Sequence, residues 1–266
     1  MIEYLKLVRP ANGIMTAIAV YIGAVVAGGS LTTSVILGMV SAFLISAGGM
    51  AINDYHDVEA DKVNKKKKRP VAKGAIKKEY ALIAAVVLSL IGLAAAYFIS
   101  TVAFYIALFA AIVLFAYSMA LKKIVLVGNI AVSFLVALSF VYGALIVGSP
   151  SAVTFLALLA FLANMGREIY KDIEDVLGDQ KIGRKTLALH IGVLKAKYVA
   201  SIFTLAAVAL SFVPFFLTLD YVYLFFVVIA DIIFIAAILS PLALRAKLSK
   251  VAMAVALVAF YAAAIQ

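Results

Sequence analysis

Cysteine and tryptophan are both absent, and only 14% of the 266 residues carry charge. The missing cysteine excludes structural disulfides, thiolate chemistry and zinc sites built on cysteine, and it leaves the redox compartment undetermined. Basic residues are also missing from particular places. The connections GGSLTT, STV, VGSPS and LTLD contain no lysine or arginine. All 23 basic residues fall instead in the N-terminal tail, the 62 to 78 loop, Lys122 and Lys123, the 167 to 197 region, or a loop at 245 to 250. Alternation of apolar and polar residues is lacking as well, which excludes a membrane β-barrel.

What is present is apolar: 67% of residues are hydrophobic and the mean hydropathy is +1.17, outside the range of soluble domains. Nine candidate spans lie at about 10 to 28, 34 to 53, 79 to 98, 102 to 120, 125 to 147, 151 to 171, 192 to 216, 221 to 240 and 250 to 265. Helices are the spanning element such runs allow, so the expected fold is an all-α multi-pass membrane protein. No small-residue cleavage site stands out near the start, and no removable signal peptide is expected. The one-sided distribution of lysine and arginine places the N-terminus and every basic loop in the cytoplasm, with the C-terminus outside.

Against this background, NDYHDVEAD at 53 to 61 places four acids in nine positions, and KDIEDVLGD at 171 to 179 repeats the pattern. Asp54, Asp57 and Asp61 recur as Asp172, Asp175 and Asp179, each displaced by the same 118 positions. LVRPAN at 7 to 12 echoes IVLVGN at 124 to 129, one residue out of that register. These echoes point to a four-helix repeat used twice, plus a ninth helix.

Spacings of three and four residues put each aspartate trio on one helical face, a stripe about 10 Å long, and Asn53 joins Asp57 and Asp61 on it. Neighbouring carboxylates about 6 Å apart repel by roughly 3 kcal/mol per pair at an effective dielectric near 20. Both motifs end helices that run toward the cytoplasm, where the negative end of the macrodipole adds to the cost. A solvated helix end neutralised by lysines such as Lys65 to Lys68 would explain one motif; two copies in identical register ask for more. Oxygen-rich clusters without cysteine or paired histidine suit hard cations. Mg²⁺ in particular prefers a few carboxylates completed by water and substrate phosphates.

NDYHDVEAD followed by RPVAKG, and YKDIEDVLGD followed by KIGRKT, resemble the two aspartate-rich signatures of the UbiA superfamily of intramembrane prenyltransferases. RPAN at 9 to 12 and YSMALKK at 117 to 123 fit the same pattern, and within the superfamily the chain looks most like the archaeal digeranylgeranylglyceryl phosphate synthases. The run KKKK at 65 to 68 departs from the shorter basic element of such relatives. The resemblance implies a single domain over residues 1–266. Its nine helices would surround a central cavity open to lipid, roofed by cytoplasmic cap loops at about 62–78 and 180–191. It implies that Asn53, Asp54, Asp57, Asp61, Asp172, Asp175 and Asp179 form the catalytic set, the six aspartates among them holding Mg²⁺.

The implied chemistry is loss of diphosphate from an allylic prenyl donor, followed by alkylation of an acceptor. For the archaeal branch that acceptor is the lipid-like geranylgeranylglyceryl phosphate; membrane lipid is the other partner, and nucleic acid is not expected. Arg69, Lys73, Lys122, Lys181 and Lys185 are the expected diphosphate cations, with Arg9, Arg167 and Asn12 on the acceptor and Tyr117 on the cavity wall. For any single lysine, anchoring at lipid headgroups is the competing explanation. His56 points off the acidic stripe, His190 reads as a loop residue, and Asp231 lies within the eighth span as an intramembrane acid. An aromatic quinone precursor is the alternative acceptor. A divalent-cation transporter is the alternative of another class, although its site belongs near the bilayer midplane. A phospholipid alcohol phosphotransferase would need an Asp-Gly dipeptide, which the chain lacks.

Overall fold

The computed structural model describes residues 2–66, 69–218 and 220–265. In chain order the helices are α1 (Ile2–Val8), α2 (Pro10–Val26), α3 (Thr33–His56), α4 (Val58–Val63), α5 (Lys78–Tyr97), α6 (Thr101–Met119) and α7 (Val127–Val147). They continue with α8 (Thr154–Glu174), α9 (Val176–Lys181), α10 (Leu187–Ile191), α11 (Val193–Leu210), α12 (Phe212–Thr218), α13 (Tyr221–Leu239) and α14 (Leu242–Ala264). Among the described residues eight helices are long and apolar enough to cross a membrane, and α1 and α2, joined at a 48° bend, pass the same test as a pair. The all-helical multi-pass architecture expected from the apolar runs is therefore the one observed.

The turn residues of the sequence act as caps. Thr32 accepts a hydrogen bond from the Val35 amide at 3.3 Å and opens α3, and Ser100 does the same for Ala103 at 3.1 Å. Asp220 accepts from the amides of Val222 and Tyr223 at 2.8 and 3.0 Å and opens α13. Gly148, at φ 94°, ends α7 in the left-handed conformation that glycine adopts without penalty.

Three expectations need correction. The ninth span starts at Leu242, not near 250, so Arg245, Lys247 and Lys250 belong to α14 and not to a loop. Pro241 precedes the first turn and sets its start, as a residue lacking an amide hydrogen can. His190 sits in the short helix α10, which occupies the end of the second cap loop. The acidic stripes do not lie on unbroken helices: α3 ends at Asp57 and α8 at Asp175, with φ, ψ of −93°, 5° and −98°, 4°. The Asp57 amide still donates to Asn53 and the Asp61 amide to Asp57, so the chain turns at the aspartate without losing its helical register.

The repeat is visible in the backbone. Arg9 before α2 and Leu126 before α7 both take left-handed conformations, φ 47° and 63°. Gly48 on α3 approaches Ala85 and Ser89 of α5, and Gly166 on α8 approaches Ala200 and Thr204 of α11, again 118 positions apart. The two halves meet where α2 packs on α7: a Cβ on Gly143 would come within 1.8 Å of the Val20 carbonyl oxygen, and one on Gly23 within 2.0 Å of that of Phe140. In a bilayer, where lipid offers no hydrophobic incentive for helices to associate, such close backbone approach supplies the packing. Gly143→Ala is expected to force these helices apart at a cost of about 1–3 kcal/mol or more. Thermal unfolding of the purified protein in detergent measures it, and an unchanged Tm would contradict the close approach.

Candidate active site

The helices surround a large cavity of about 920 Å³, inside the range of small-molecule sites. Its depth is apolar, lined by residues such as Ala19, Phe140, Leu159, Val227, Phe234 and Phe260. Asn164, Ser139 and Ser211 interrupt it, and the acid there is Asp231, which accepts a hydrogen bond from Ser211 Oγ at 2.7 Å. At the mouth the wall becomes charged, with Asp57, Asp61, Asp172, Asp175 and Asp179 all on it, beside Asn53 and Tyr117. The two acidic motifs thus face one space. They are tied together above it by Asn64, whose side chain donates to the Asp175 carbonyl at 3.2 Å and accepts from the Gly178 amide at 2.9 Å.

Cations interleave these acids. Lys122 Nζ lies 2.5 Å from Asp57 Oδ1 and 3.0 Å from Asn53 Oδ1, joining the turn after α6 to the first motif. Arg184 spans the motifs, donating to Asp57 through Nη2 and to Asp179 through Nη1 at 2.8 Å. Lys66 pairs with Asp175. Arg69 donates to Asp54 at 2.6 Å and its Nε lies 3.6 Å from Asp61 Oδ2. Arg9 pairs with Asp54 from the other side.

Several expected residues fall elsewhere. Asp54 is buried behind the wall between Arg9 and Arg69 and does not line the cavity, so its place is that of a support for two arginines. Asp172 lines the cavity but accepts from Asn129 Nδ2 at 2.8 Å. Lys73 reaches out to Glu3 at 2.9 Å, and Lys181 and Lys185 are exposed, so none of the three lines the cavity. Between the last two, Arg184 turns inward, a direction that the loop sequence KIGRKT does not disclose. Arg167 does line the cavity and pairs with the buried Glu168 at 2.6 Å. Glu168, Lys171, Lys247 and Lys250 were not anticipated in the cavity wall, because their sequence neighbourhoods read as an ordinary helix end and a loop.

The electrostatics at the mouth are uneven. Burial works to raise the Asp57 carboxyl, but Lys122 and Arg184 outweigh it and hold the group below the usual carboxylate range. Burial, reinforced by Asp57 and Asp54, pushes Asp61 up to about 7. Burial raises Asp179 as well. Burial also pulls the Lys122 ammonium down to about 8, even though Asp57 acts against the shift. Asp61 is therefore the under-compensated acid, and its Oδ2 is buried with no hydrogen-bond partner.

Among the described residues no three acids converge closely enough to enclose a metal ion by themselves. The donor set nonetheless fits a hard cation held jointly with a ligand: it is all oxygen, it faces a cavity, and it includes the orphaned Asp61 Oδ2. Mg²⁺ is bound in that manner, through one or two carboxylates, water and phosphate oxygens, and not by an all-protein cage.

The UbiA prenyltransferase family matches residues 14–264. A digeranylgeranylglyceryl phosphate synthase of Methanococcoides burtonii is 38% identical, with 98% of this chain and 99% of the relative aligned. That of Methanopyrus kandleri is 40% identical over 81% of this chain and 79% of the relative. A solved structure described as digeranylgeranylglyceryl phosphate synthase in membranes is 32% identical and superposes with a TM-score of 0.74, covering 99% of this chain and 98% of that one. The fold is also that of a UbiA homologue from Archaeoglobus fulgidus bound to DMAPP and Mg²⁺, at 19% identity, TM-score 0.72 and 99% coverage of both chains. With the twin aspartate joints, the apolar cavity below them and a family match spanning nearly all of its length, the chain belongs to the UbiA prenyltransferase family.

Proposed function

We propose that this protein moves a geranylgeranyl group from its diphosphate to the free hydroxyl of geranylgeranylglyceryl phosphate, forming the second ether bond of an archaeal membrane lipid. The carrying observation is the pairing of two acidic motifs, at equivalent helix joints, over the mouth of an apolar cavity. The relatives aligned over nearly the whole chain support the choice of acceptor.

The whole chain acts as one domain, with its basic loops and active site at the cytoplasmic face. The prenyl tail lies among the apolar residues of the cavity, and the diphosphate sits at the mouth. Asp57, Asp61, Asp175 and Asp179 are the residues that would hold Mg²⁺, with Asn53 beside them and Asp172 nearby. Bound Mg²⁺ supplies neutralisation of the negative charge that develops on the leaving diphosphate. Arg69 and Arg184, which line the cavity, would transfer part of their charge to phosphate oxygens when the acids are otherwise engaged, with Lys122 and Lys66 supporting the carboxylates from outside the lining. The allylic C–O bond breaks with its electron pair leaving on diphosphate. The carbocation-like carbon then bonds to the acceptor hydroxyl oxygen, which gives up its proton. The dry cavity keeps water from intercepting that carbon. Arg9 and Arg167, with Asn12, stand nearest the acceptor's phosphate.

Purified protein supplied with Mg²⁺ and geranylgeranyl diphosphate is expected to alkylate geranylgeranylglyceryl phosphate. Product formed only from hydroxybenzoate or naphthoate acceptors would replace the lipid acceptor with an aromatic one. Asp57→Asn and Asp175→Asn are each expected to lower kcat/KM by about 100-fold or more with folding retained, and full activity in either removes that residue from the site. Arg69→Ala should raise the donor KM by about 10- to 100-fold, and an unchanged value would count against a diphosphate contact.

The raised Asp61 carboxyl gives a pH dependence with a definite sign. Its folded-state pKa of about 7 lies above the ordinary 3.8. Without metal the folded chain therefore holds the extra proton, and the contribution of this group to stability is lost as pH rises toward and through 7. A divalent ion must displace that proton, so apparent Mg²⁺ affinity should fall by about tenfold between pH 8 and pH 6. Stabilisation of the thermal unfolding transition by Mg²⁺ should be larger at pH 8, and Asp61→Asn should flatten the difference. A metal effect equal at both pH values would exclude Asp61 as a ligand.

A further inference from the structure

The wall formed by α8 and α14 carries charge that the diphosphate site does not use. Lys247 and Lys250 lie one turn apart on α14, and Arg167 and Lys171 lie one turn apart on α8; all four line the cavity. Glu168, buried at 4% exposure, accepts from Arg167 Nη1 and from Lys171 Nζ, each at 2.6 Å. Glu174 lies on the outer flank, in the fields of Lys66, Lys247 and Lys171.

Lys250 differs from the others. Among the described residues no carboxylate lies within ion-pair distance of its Nζ, and its polar contact is with Asn12 Oδ1. The charged groups that face it are Arg167, Lys171 and Arg9, all cations. Half-buried cations that face one another within an apolar bundle raise each other's cost and are retained when an anion completes them. An anchor at lipid headgroups would carry its ammonium outward, whereas this one is turned onto Asn12 at the cavity wall.

The position also relates this wall to the first acidic motif. Arg9 Nη1 contacts Met50 Sδ at 3.2 Å and Asn12 Nδ2 contacts the same sulfur at 3.5 Å, so a run of contacts leads from Asp54 through Arg9, Met50 and Asn12 to Lys250. Among the described residues Lys250 thus pairs with none of the aspartates of the two joints, yet it lines the same cavity.

We infer that Lys250, with Lys171 and Arg167, forms the subsite for the phosphate monoester of the acceptor, and that Glu168 is a positioning residue which fixes the Arg167 and Lys171 cations toward it. This deepens the proposed function and rests on it. A monoester dianion matches three cations, Lys250, Lys171 and Arg167, buffered by one buried carboxylate, Glu168. A neutral acceptor, or an aromatic one with a single carboxylate, would leave the cluster under-compensated. The arrangement therefore selects acceptors by headgroup charge, and Lys250 sets that selection from the last helix of the fold.

The test uses the full chain in nanodiscs with Mg²⁺ and geranylgeranyl diphosphate, and compares geranylgeranylglyceryl phosphate with its dephosphorylated alcohol. Wild-type transfer to neither acceptor would overturn the proposed function itself; transfer by the wild type leaves the inference to be judged on variants. Lys250→Ala should raise the KM for the phosphorylated acceptor by about 10- to 100-fold, leave the donor KM as it was, and have no effect on the alcohol. Lys250→Arg should restore most of the loss. Glu168→Gln should also raise the phosphorylated acceptor's KM, by less, and leave the alcohol unaffected. Equal penalties on both acceptors, a raised donor KM, or an unchanged acceptor KM in Lys250→Ala would each overturn the assignment.

Discussion

Carboxylates placed at the C-terminal ends of buried helices, next to one another and next to a low-dielectric interior, must be matched by positive charge, and the rest of the structure is arranged around that requirement. Asp57 and Asp175 each sit where a long membrane helix breaks into a short one, and each is met by cations from distant segments: Lys122 and Arg184 on Asp57, Lys66 on Asp175. Those contacts draw together the turn after α6, the first cap segment and the loop after α9. Asn64 closes the roof by joining α4 to the start of α9. Asp61, whose only described cation within 4 Å is Arg69 at 3.6 Å, is where the matching is incomplete.

The duplicated fold explains how such a site is assembled. Each half presents the same joint at the end of its second long helix, held against the next long helix by a glycine, Gly48 or Gly166. Close packing of α2 on α7 through Gly23 and Gly143 brings the halves together so that both joints overlook one cavity. The cavity below is apolar enough for a prenyl chain, and its charged mouth separates into a carboxylate side and a cationic wall on α8 and α14. An anion entering with a long tail meets countercharge at the mouth alone.

Much of this was legible in the amino-acid order. Continuous apolar runs located the membrane helices other than the last within a few residues, because lipid demands length and hydrophobicity and little else. The 118-residue displacement of three aspartates disclosed the repeat. What remained illegible was set by loops and by side-chain direction. The cap loops hide that Arg184 turns inward while Lys181 and Lys185 turn out, since no periodicity governs a six-residue turn. The charges of α14 interrupted its apolar pattern, so its first two turns read as a loop and Lys250 was lost with them. Asp54 shares the helical face of Asp57 by spacing, yet the break at Asp57 leaves it behind the wall, where Arg9 and Arg69 enclose it.

Because among the described residues no three acids enclose an ion on their own, the proposed function requires metal and diphosphate each to complete the other's site. Isothermal titration of Mg²⁺ into the protein, with and without a non-reactive thiolo analogue of geranylgeranyl diphosphate, measures that coupling directly. The account predicts weak Mg²⁺ binding to the protein alone, tightened by at least about tenfold with the analogue, with the analogue's own affinity raised by the same factor when Mg²⁺ is present. Tight Mg²⁺ binding without the analogue, or analogue binding indifferent to chelator, would contradict it.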